Sequence, residues 1–388
     1  MIVPDAVAHG LAIVFIAFAA GGCAYALLAA ATVRRFVGEG ASAAIAFPSI
    51  TILKPLRGAE PALHGRLASF CDQDYPGPVQ ILFGVQDADD PAVAVVDRLI
   101  AERPGRDLQL LISTQPAGPN PKVATLIGLQ RHVRHELVVL SDSDISVECD
   151  YLARTVAALG EPGVGLVTCL YRGAPVDGLW ARLAGMAIDY HFLPNVLVGL
   201  ALGLARPCFG STIAMRRDTL QRIGGFDPFV DQLADDNAIG EAVRALGMRV
   251  TIPRWVVTHA CPEPSAAELW SHELRWSRTL RAVNPSGYAG LVITHPLPFA
   301  LLGAWLSGFG ALGAGSVAAA IVCRLVLQLQ VDHTLHVSTS RWWLGPARDL
   351  LAFAVYVASF FVDVVRWRGQ RYKIRADGTL VPVVEPKA

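Results

Sequence analysis

Glu136-Leu137-Val138-Val139-Leu140-Ser141-Asp142-Ser143-Asp144 is the stretch on which the fold turns. Four apolar residues in a row, two of them β-branched, do not alternate as a half-exposed strand would. They predict a strand buried on both faces, the signature of a parallel sheet covered by helices. The run then stops at two carboxylates one residue apart. In open parallel sheets ligands bind at the carboxyl ends of the strands, so Asp142 and Asp144 stand where chemistry is expected.

Similar strand-like runs lie around it at Ser49–Leu56, Val79–Asp87, Leu108–Ser113 and Val164–Leu170. Helical patterns separate them at Pro61–Cys71, Pro91–Arg103, Pro121–Val133 and Asp150–Leu159. Strand-helix-strand order of this kind predicts a mostly parallel α/β domain over about 36–290. Asp87 closes one of these strands directly after the apolar run Ile81–Val85. Its neighbours Asp89-Asp90-Pro91 also read as an ordinary turn and helix start, where acids suit the helix dipole.

The flanks have a different texture. The chain of 388 residues is 53% hydrophobic and 17% charged, or about 60% apolar with glycine counted and tyrosine left out, against roughly 45–50% in soluble domains. Disorder, a collagen-like rod and a disulfide scaffold are excluded. Lys+Arg and Asp+Glu are both 33, so no basic field exists for nucleic acid. The excess is concentrated. Val7 to Val33 carries no charged side chain, and Arg34-Arg35 comes directly after it. About 20 apolar residues cross a bilayer, so 7–33 predicts a transmembrane helix, and the trailing arginines place the next segment of chain in the cytoplasm. A second uncharged run, Pro298 to Cys323, contains five glycines, and a third spans Leu350 to Val362. Together they predict a C-terminal membrane region over 296–366 with two or three spans. Beyond the third run, Arg366, Arg368, Arg371, Lys373 and Arg375 lead into and make up a basic tail, 367–388, that prefers the cytoplasm. An additional apolar run, Val196–Ala205, reads equally as a membrane-surface helix or a core helix. The seven cysteines form no CxxC pair, and reduced thiols are expected. Cys208 and His259 could approach the site, although residues of these types are more often structural.

Two further constellations complete the pattern. Asp235-Asp236 opens a helical segment, and His272-Glu273-Leu274-Arg275-Trp276 lies in a helix expected from Ser265 to about Arg281. Arg275 and Arg278 are neighbours at i,i+3. An arginine suits phosphate, and Trp276 offers a flat stacking face; a solvated or membrane-surface helix explains the same residues.

The order Asp87, Asp142-Ser143-Asp144, Asp235-Asp236, Arg275-Trp276 resembles the D, DxD, (E/D)D, (Q/R)xxRW signature of inverting family-2 glycosyltransferases. More closely, the chain is similar to the ceramide glucosyltransferase group. The shared phrases are Leu53-Lys54-Pro55-Leu56-Arg57-Gly58, Asp74-Tyr75-Pro76, Val85-Gln86-Asp87 with Asp89-Asp90-Pro91, and Asn120-Pro121-Lys122. They fall within about 48–285. Within the group, length and wording most resemble the hopanoid-biosynthesis glycosyltransferases of bacteria. Two departures stand out. His272 replaces the first residue of (Q/R)xxRW, and Asp144 supplies a second carboxylate where the animal ceramide glucosyltransferases read differently.

The resemblance implies a GT-A-type, Rossmann-like catalytic domain between membrane helices, in a bacterial inner (cytoplasmic) membrane and facing the cytoplasm. It implies an inverting transfer from a UDP-sugar to a lipid hydroxyl, with N-acetylglucosamine and a hopanoid polyol such as bacteriohopanetetrol favoured. A lipid glucosyltransferase acting on ceramide with UDP-glucose is the alternative. The implied roles are a divalent metal (Mn2+ or Mg2+) on Asp142 and Asp144, Asp87 and Lys54 toward the uridine, and Lys122 and Arg275 toward the diphosphate. Asp236 is the implied general base, with Trp276 beside the catalytic groups and Asp235 raising the pKa of Asp236 through like charge. The implied partners are the UDP-sugar, the lipid acceptor, the bilayer and other enzymes of lipid biosynthesis. A processive polysaccharide synthase would need more spans than these for its channel. A transporter would need charges inside its spans, and the first two apolar runs contain none.

Overall fold

Seven strands form the large sheet, and several of them are buried along their whole length because they are runs of mostly apolar residues. In a computed structural model, which describes residues 5–36, 46–113, 118–337, 341–362, 364–367, 370–375 and 379–382, these strands are β1 (Ile50–Pro55), β2 (Val79–Val85), β3 (Asp107–Ile112), β4 (Leu137–Leu140), β6 (Val164–Val167), β8 (Ile213–Arg216) and β9 (Arg249–Thr251). Three others, β5 (Ile145–Ser146), β7 (Leu170–Pro175) and β10 (Val256–Cys261), make a second, smaller sheet in the order β5-β10-β7. The large sheet runs β3-β2-β1-β4-β8-β6-β9. Pairing is parallel from β3 through β4 and again between β6 and β9, while β8 lies antiparallel to both of its neighbours. The expected single strand over Val164–Leu170 divides into β6 and β7, which serve different sheets.

β1 pairs with β2 on one side and β4 on the other. The strand order therefore reverses at β1, the kind of switch point beside which open α/β sheets bind ligands. Beneath it, Leu53, Leu82, Leu140, Ile213 and Met215 from the strands pack with Val123, Leu126, Ile239 and Val243 from helices. The helices Leu63–Cys71, Ala92–Glu102, Pro121–Gln130 and Tyr151–Leu159 occupy the segments that the sequence pattern predicts.

The chain divides into two units. One comprises Gly38–Val176, Pro207–Pro262 and Gln370–Ala388, and holds both sheets described above. The other comprises Met1–Val37, Asp177–Arg206 and Glu263–Gly369. Residues 177–206 and 263–290, expected inside the catalytic domain, thus belong with the apolar helices. Among the described residues, three stretches of helix are long and apolar enough to cross a membrane: Ala6–Phe36, Gly178–Ala201 and Ala311–Leu335. A bent pair, Pro285–Thr294 with Pro296–Leu306, turns by 58°. The Gly-rich run breaks over 307–310 between the helices Pro296–Leu306 and Ala311–Leu335, while its Gly303 and Gly313 are close packing positions against Ile16 and Ala304. The third apolar run forms the helix Gly345–Ala358 of 14 residues, about 21 Å long and short of a bilayer core of about 30 Å.

Within this unit Ala19, Leu297, Ala300 and Ala320 share one core. The helix Ala311–Leu335 also runs past the uncharged stretch to include Arg324, whose guanidinium closes on Asp349. Of the basic tail, residues 368–369, 376–378 and 383–388 lie outside the described residues. In its described part Gln370–Ile374 pairs antiparallel with Leu380–Pro382, and the Tyr372 hydroxyl donates to the Pro119 carbonyl at 3.4 Å.

Candidate active site

Asp142 follows β4 by two residues, and its loop is fastened on every side. Ser141 donates its amide to the Leu53 carbonyl of β1, Asp142 donates to the Gly210 carbonyl at 3.1 Å, and the Asp144 carbonyl accepts from Ala260 of β10 at 2.8 Å. Beneath the loop, the fully buried Lys54 ammonium lies 2.5 Å from the Asp142 carbonyl and 3.9 Å from the centre of the Phe70 ring. Burial lowers its pKa to about 7, against the pull of Asp142 and Asp144. Arg66 donates to the Ser143 carbonyl at 3.1 Å. Lys54 thus braces the acidic loop from below.

The phrase Asn120-Pro121-Lys122 has a local cause. The Asn120 side chain accepts from the amides of Lys122 and Val123, an N-cap, and Pro121 sits in the first turn without an amide to satisfy. The Asn120 amide group also donates to the Gln232 carbonyl at 2.7 Å and to Asp235 at 3.3 Å. This cap aims Lys122 between two motifs: its ammonium lies 2.8 Å from Asp142 Oδ1 and 3.0 Å from Asp235 Oδ2. Burial works against that charge, but Asp142, Asp235 and Asp236 outweigh it, so Lys122 is held protonated. Burial pushes the Asp142 carboxyl up, Lys122 opposing.

Asp235 and Asp236 open the helix Asp235–Ala245, and their side chains diverge as neighbours on a helix must. While Asp235 faces Asn120 and Lys122, Asp236 accepts from the Gly210 amide at 3.1 Å and from the Asn237 amide at 2.7 Å. Burial first, and then the charge of Asp235, raises the Asp236 pKa to about 6. That is where a general base working near neutrality is expected.

Asp144 Oδ2 lies 3.3 Å from His259 Nε2, whose strand pairs β5 in register with Ile145. Burial disfavours the imidazolium, yet Asp144 prevails and raises the His259 pKa. Tyr171 stacks on the His259 ring at 5.3 Å. Cys208 packs into the core against the helix bearing Asp236.

Asp142, Asp144, Asp235 and Asp236 therefore face Lys122 and His259, an excess of negative charge. Beside Asp142 Oδ2 the chain has Gly210, where a Cβ would come within 2.4 Å. The missing side chain lets the Asp142 carboxylate and the Lys122 ammonium lie close against the backbone, and a cluster of carboxylate oxygens of this kind fits a divalent cation or a diphosphate held through one. Among the described residues no group of three His, Cys, Asp or Glu side chains is set up to hold a metal by itself.

The remaining expected site residues belong to other elements. Asp87 is exposed past the end of β2, and its carboxylate accepts from the Asp89 amide at 3.0 Å. Asp90 is structural, accepting from Gly58 and from Ala92 at the helix start. Arg275 and Trp276 belong to the other unit, half-buried on the helix Ala266–Val283. There His272 contacts Glu263 at 2.5 Å and meets Trp276 edge-on at 4.5 Å. Arg278, three residues after Arg275, is buried and donates to the Ser359 carbonyl. Sequence reading missed Gly210, Arg66 and the bridging role of Asn120. Only Asn120 had a signal, its place before Pro121.

The profile of Glycosyl transferase family 21 matches residues 14–380. Ceramide glucosyltransferase 1 of Caenorhabditis elegans is 24% identical, over 86% of this chain and 73% of its own. The ceramide glucosyltransferase of Candida albicans is 34% identical over 29% of this chain and 23% of its own. Among solved structures, a mannosyltransferase of Pyrobaculum calidifontis, in complex with GDP-Man and Mn2+, superposes with a TM-score of 0.52 at 22% identity. It covers 89% of this chain and 99% of that one, and shares the GT-A-type fold. With a family match over nearly its full length and an acid-lined switch point in that fold, the chain is a membrane protein belonging to glycosyltransferase family 21.

Proposed function

We propose that this glycosyltransferase moves a sugar from a UDP-sugar to the hydroxyl of a membrane lipid, inverting the anomeric centre, and that the favoured pair is UDP-glucose and a ceramide-type acceptor. The observation that carries the reading is the pairing of Asp236, raised to about 6, with the carboxylates Asp142 and Asp144 across Lys122 and Gly210. The relatives that match over 86% of this chain bear the name ceramide glucosyltransferase, which favours glucose and ceramide over the N-acetylglucosamine and hopanoid polyol expected from the sequence.

Asp236 takes the proton of the acceptor hydroxyl as its oxygen attacks the anomeric carbon, a contribution of typically ~10²–10⁴-fold. The bond to the UDP oxygen breaks, and an α-linked donor yields a β-linked product. Asp142 and Asp144 are the residues that would hold a divalent ion, which would offset the charge growing on the departing diphosphate. Asp87 faces the uridine, Lys122 and Arg275 serve the diphosphate, and Trp276 offers a stacking face beside the reacting groups. Lys54 acts from beneath the Asp142 loop rather than on the uridine. The catalytic domain works on the cytoplasmic side, as Arg34 and Arg35 in the last turn of the first helix favour.

The test is a matrix of reactions with the purified full chain in lipid. UDP-glucose, UDP-N-acetylglucosamine and UDP-galactose are offered against ceramide and a hopanoid polyol, with Mn2+, Mg2+ or chelator, and products are read by mass spectrometry. Glucosylceramide formed only with a divalent ion is the expected result. Product from the hopanoid polyol alone would replace the acceptor assignment, and no product from any pair would overturn the function.

A further inference from the structure

Gly210 touches both acidic motifs through its backbone alone. Its amide donates to Asp236 Oδ2, and its carbonyl accepts from the Asp142 amide, each at 3.1 Å. Its conformation does not call for glycine, since Gly210 is not among the glycines with positive φ. Space does. A Cβ at this position would lie 2.4 Å from Asp142 Oδ2 and 2.9 Å from Lys122 Nζ, distances that real Cβ atoms do not tolerate.

The loop around Gly210 has little freedom to move aside. Phe209 exchanges hydrogen bonds with Thr168 through its amide (2.8 Å) and its carbonyl (3.1 Å). The Ser211 hydroxyl donates to the Cys169 carbonyl at 2.7 Å, and the Thr212 hydroxyl meets that of Tyr151 at 2.9 Å. With the backbone clamped on both sides, an added methyl group would be relieved by displacing the Asp142 carboxylate and the Lys122 ammonium.

We propose that Gly210 is a positioning residue for the transfer reaction. It fixes the general base Asp236 and the metal-side carboxylate Asp142 on one strut, and its missing side chain lets the Asp142 carboxylate and the Lys122 ammonium close on each other against the backbone. The proposal rests on the function given above, and its test separates the two. Gly210→Ala, Asp142→Ala and the double variant are compared with wild type as full chains in detergent. Thermal unfolding is read alongside turnover and its pH profile. Gly65→Ala is the control, because a Cβ there meets nothing within 4 Å.

Gly210→Ala is expected to cut turnover about 10–100-fold, the cost typical of losing an outer-shell support. It also shifts the acid limb of the pH profile upward, because the displaced Lys122 ammonium no longer favours the charged form of Asp236 as strongly. Its Tm falls against wild type but not on the Asp142→Ala background, where the crowded oxygen is gone. Gly65→Ala, at an exposed helix position, leaves turnover and its pH profile unchanged and does not lower Tm. An equal loss of Tm on both backgrounds would overturn the proposal, as would a Gly210→Ala enzyme with wild-type Tm and turnover. If wild type transfers no sugar to any lipid, the function fails, and the unfolding cycle still decides the role of Gly210.

Discussion

The two units bury the same kinds of charge and use them differently. In the apolar unit two buried guanidinium groups each close on one carboxylate. Arg348, 1% exposed, grips both oxygens of Glu273 at 2.6 and 2.7 Å, and Arg324 grips Asp349 at 2.8–3.0 Å. In the sheet unit one ammonium, Lys122, is divided between Asp142 and Asp235, and Asp236 leans on two backbone amides. A closed, bidentate pair neutralises itself and reads as a clamp between helices. An overcrowded set with displaced pKa values retains charge for something else to answer, and such sets mark functional sites.

The sharpest way to break this contrast is to open a clamp. Glu273→Ala leaves Arg348 buried without its counter-charge and should destabilise the full chain by about 3–5 kcal/mol, read by chemical unfolding in detergent. UDP binding per folded molecule should stay unchanged. A loss below about 1 kcal/mol would mean that the pair behaves as an exposed one.

The next effect is one of pH. The folded pKa of Asp236 is raised to about 6, so the base form is lost as pH falls through that value. The plot of kcat/KM against pH should decline about tenfold per unit below it and level off above. A profile flat down to the ordinary carboxylate range would remove Asp236 from the base role.

The smallest effect concerns His272. Gln can also reach Glu263, so His272→Gln should change turnover by less than about tenfold, the worth of about 0.5–1.5 kcal/mol for one hydrogen bond. A larger loss in steady-state assays would show that the imidazole itself takes part.

The contrast also explains which features are legible in the chain itself. β1, β2 and β4 are legible because a strand buried on both faces writes its burial as consecutive apolar residues. Asp142 and Asp144 are legible because they end such a strand. Lys122 is recognisable as a site residue, but its anchorage to Asp142 and Asp235 depends on a helix cap 115 residues from Asp235 in sequence. Gly210 carries no signal, because an ordinary backbone angle hides a requirement imposed by a neighbouring oxygen. The membership of 177–206 is equally hidden. An apolar helix looks alike in a core and in a bilayer, and here a π-helical turn over Ile188–Phe192 interrupts the pattern.

The central claim is that sugar transfer depends on Asp236 as the base within the Asp142–Lys122–Gly210 cluster. Asp236→Asn tests it most directly, in the full chain reconstituted with UDP-glucose, ceramide and a divalent ion. The account predicts that UDP binding by calorimetry stays within a few-fold of wild type while glucosylceramide formation falls about 10²–10⁴-fold. Undiminished product from Asp236→Asn would contradict it.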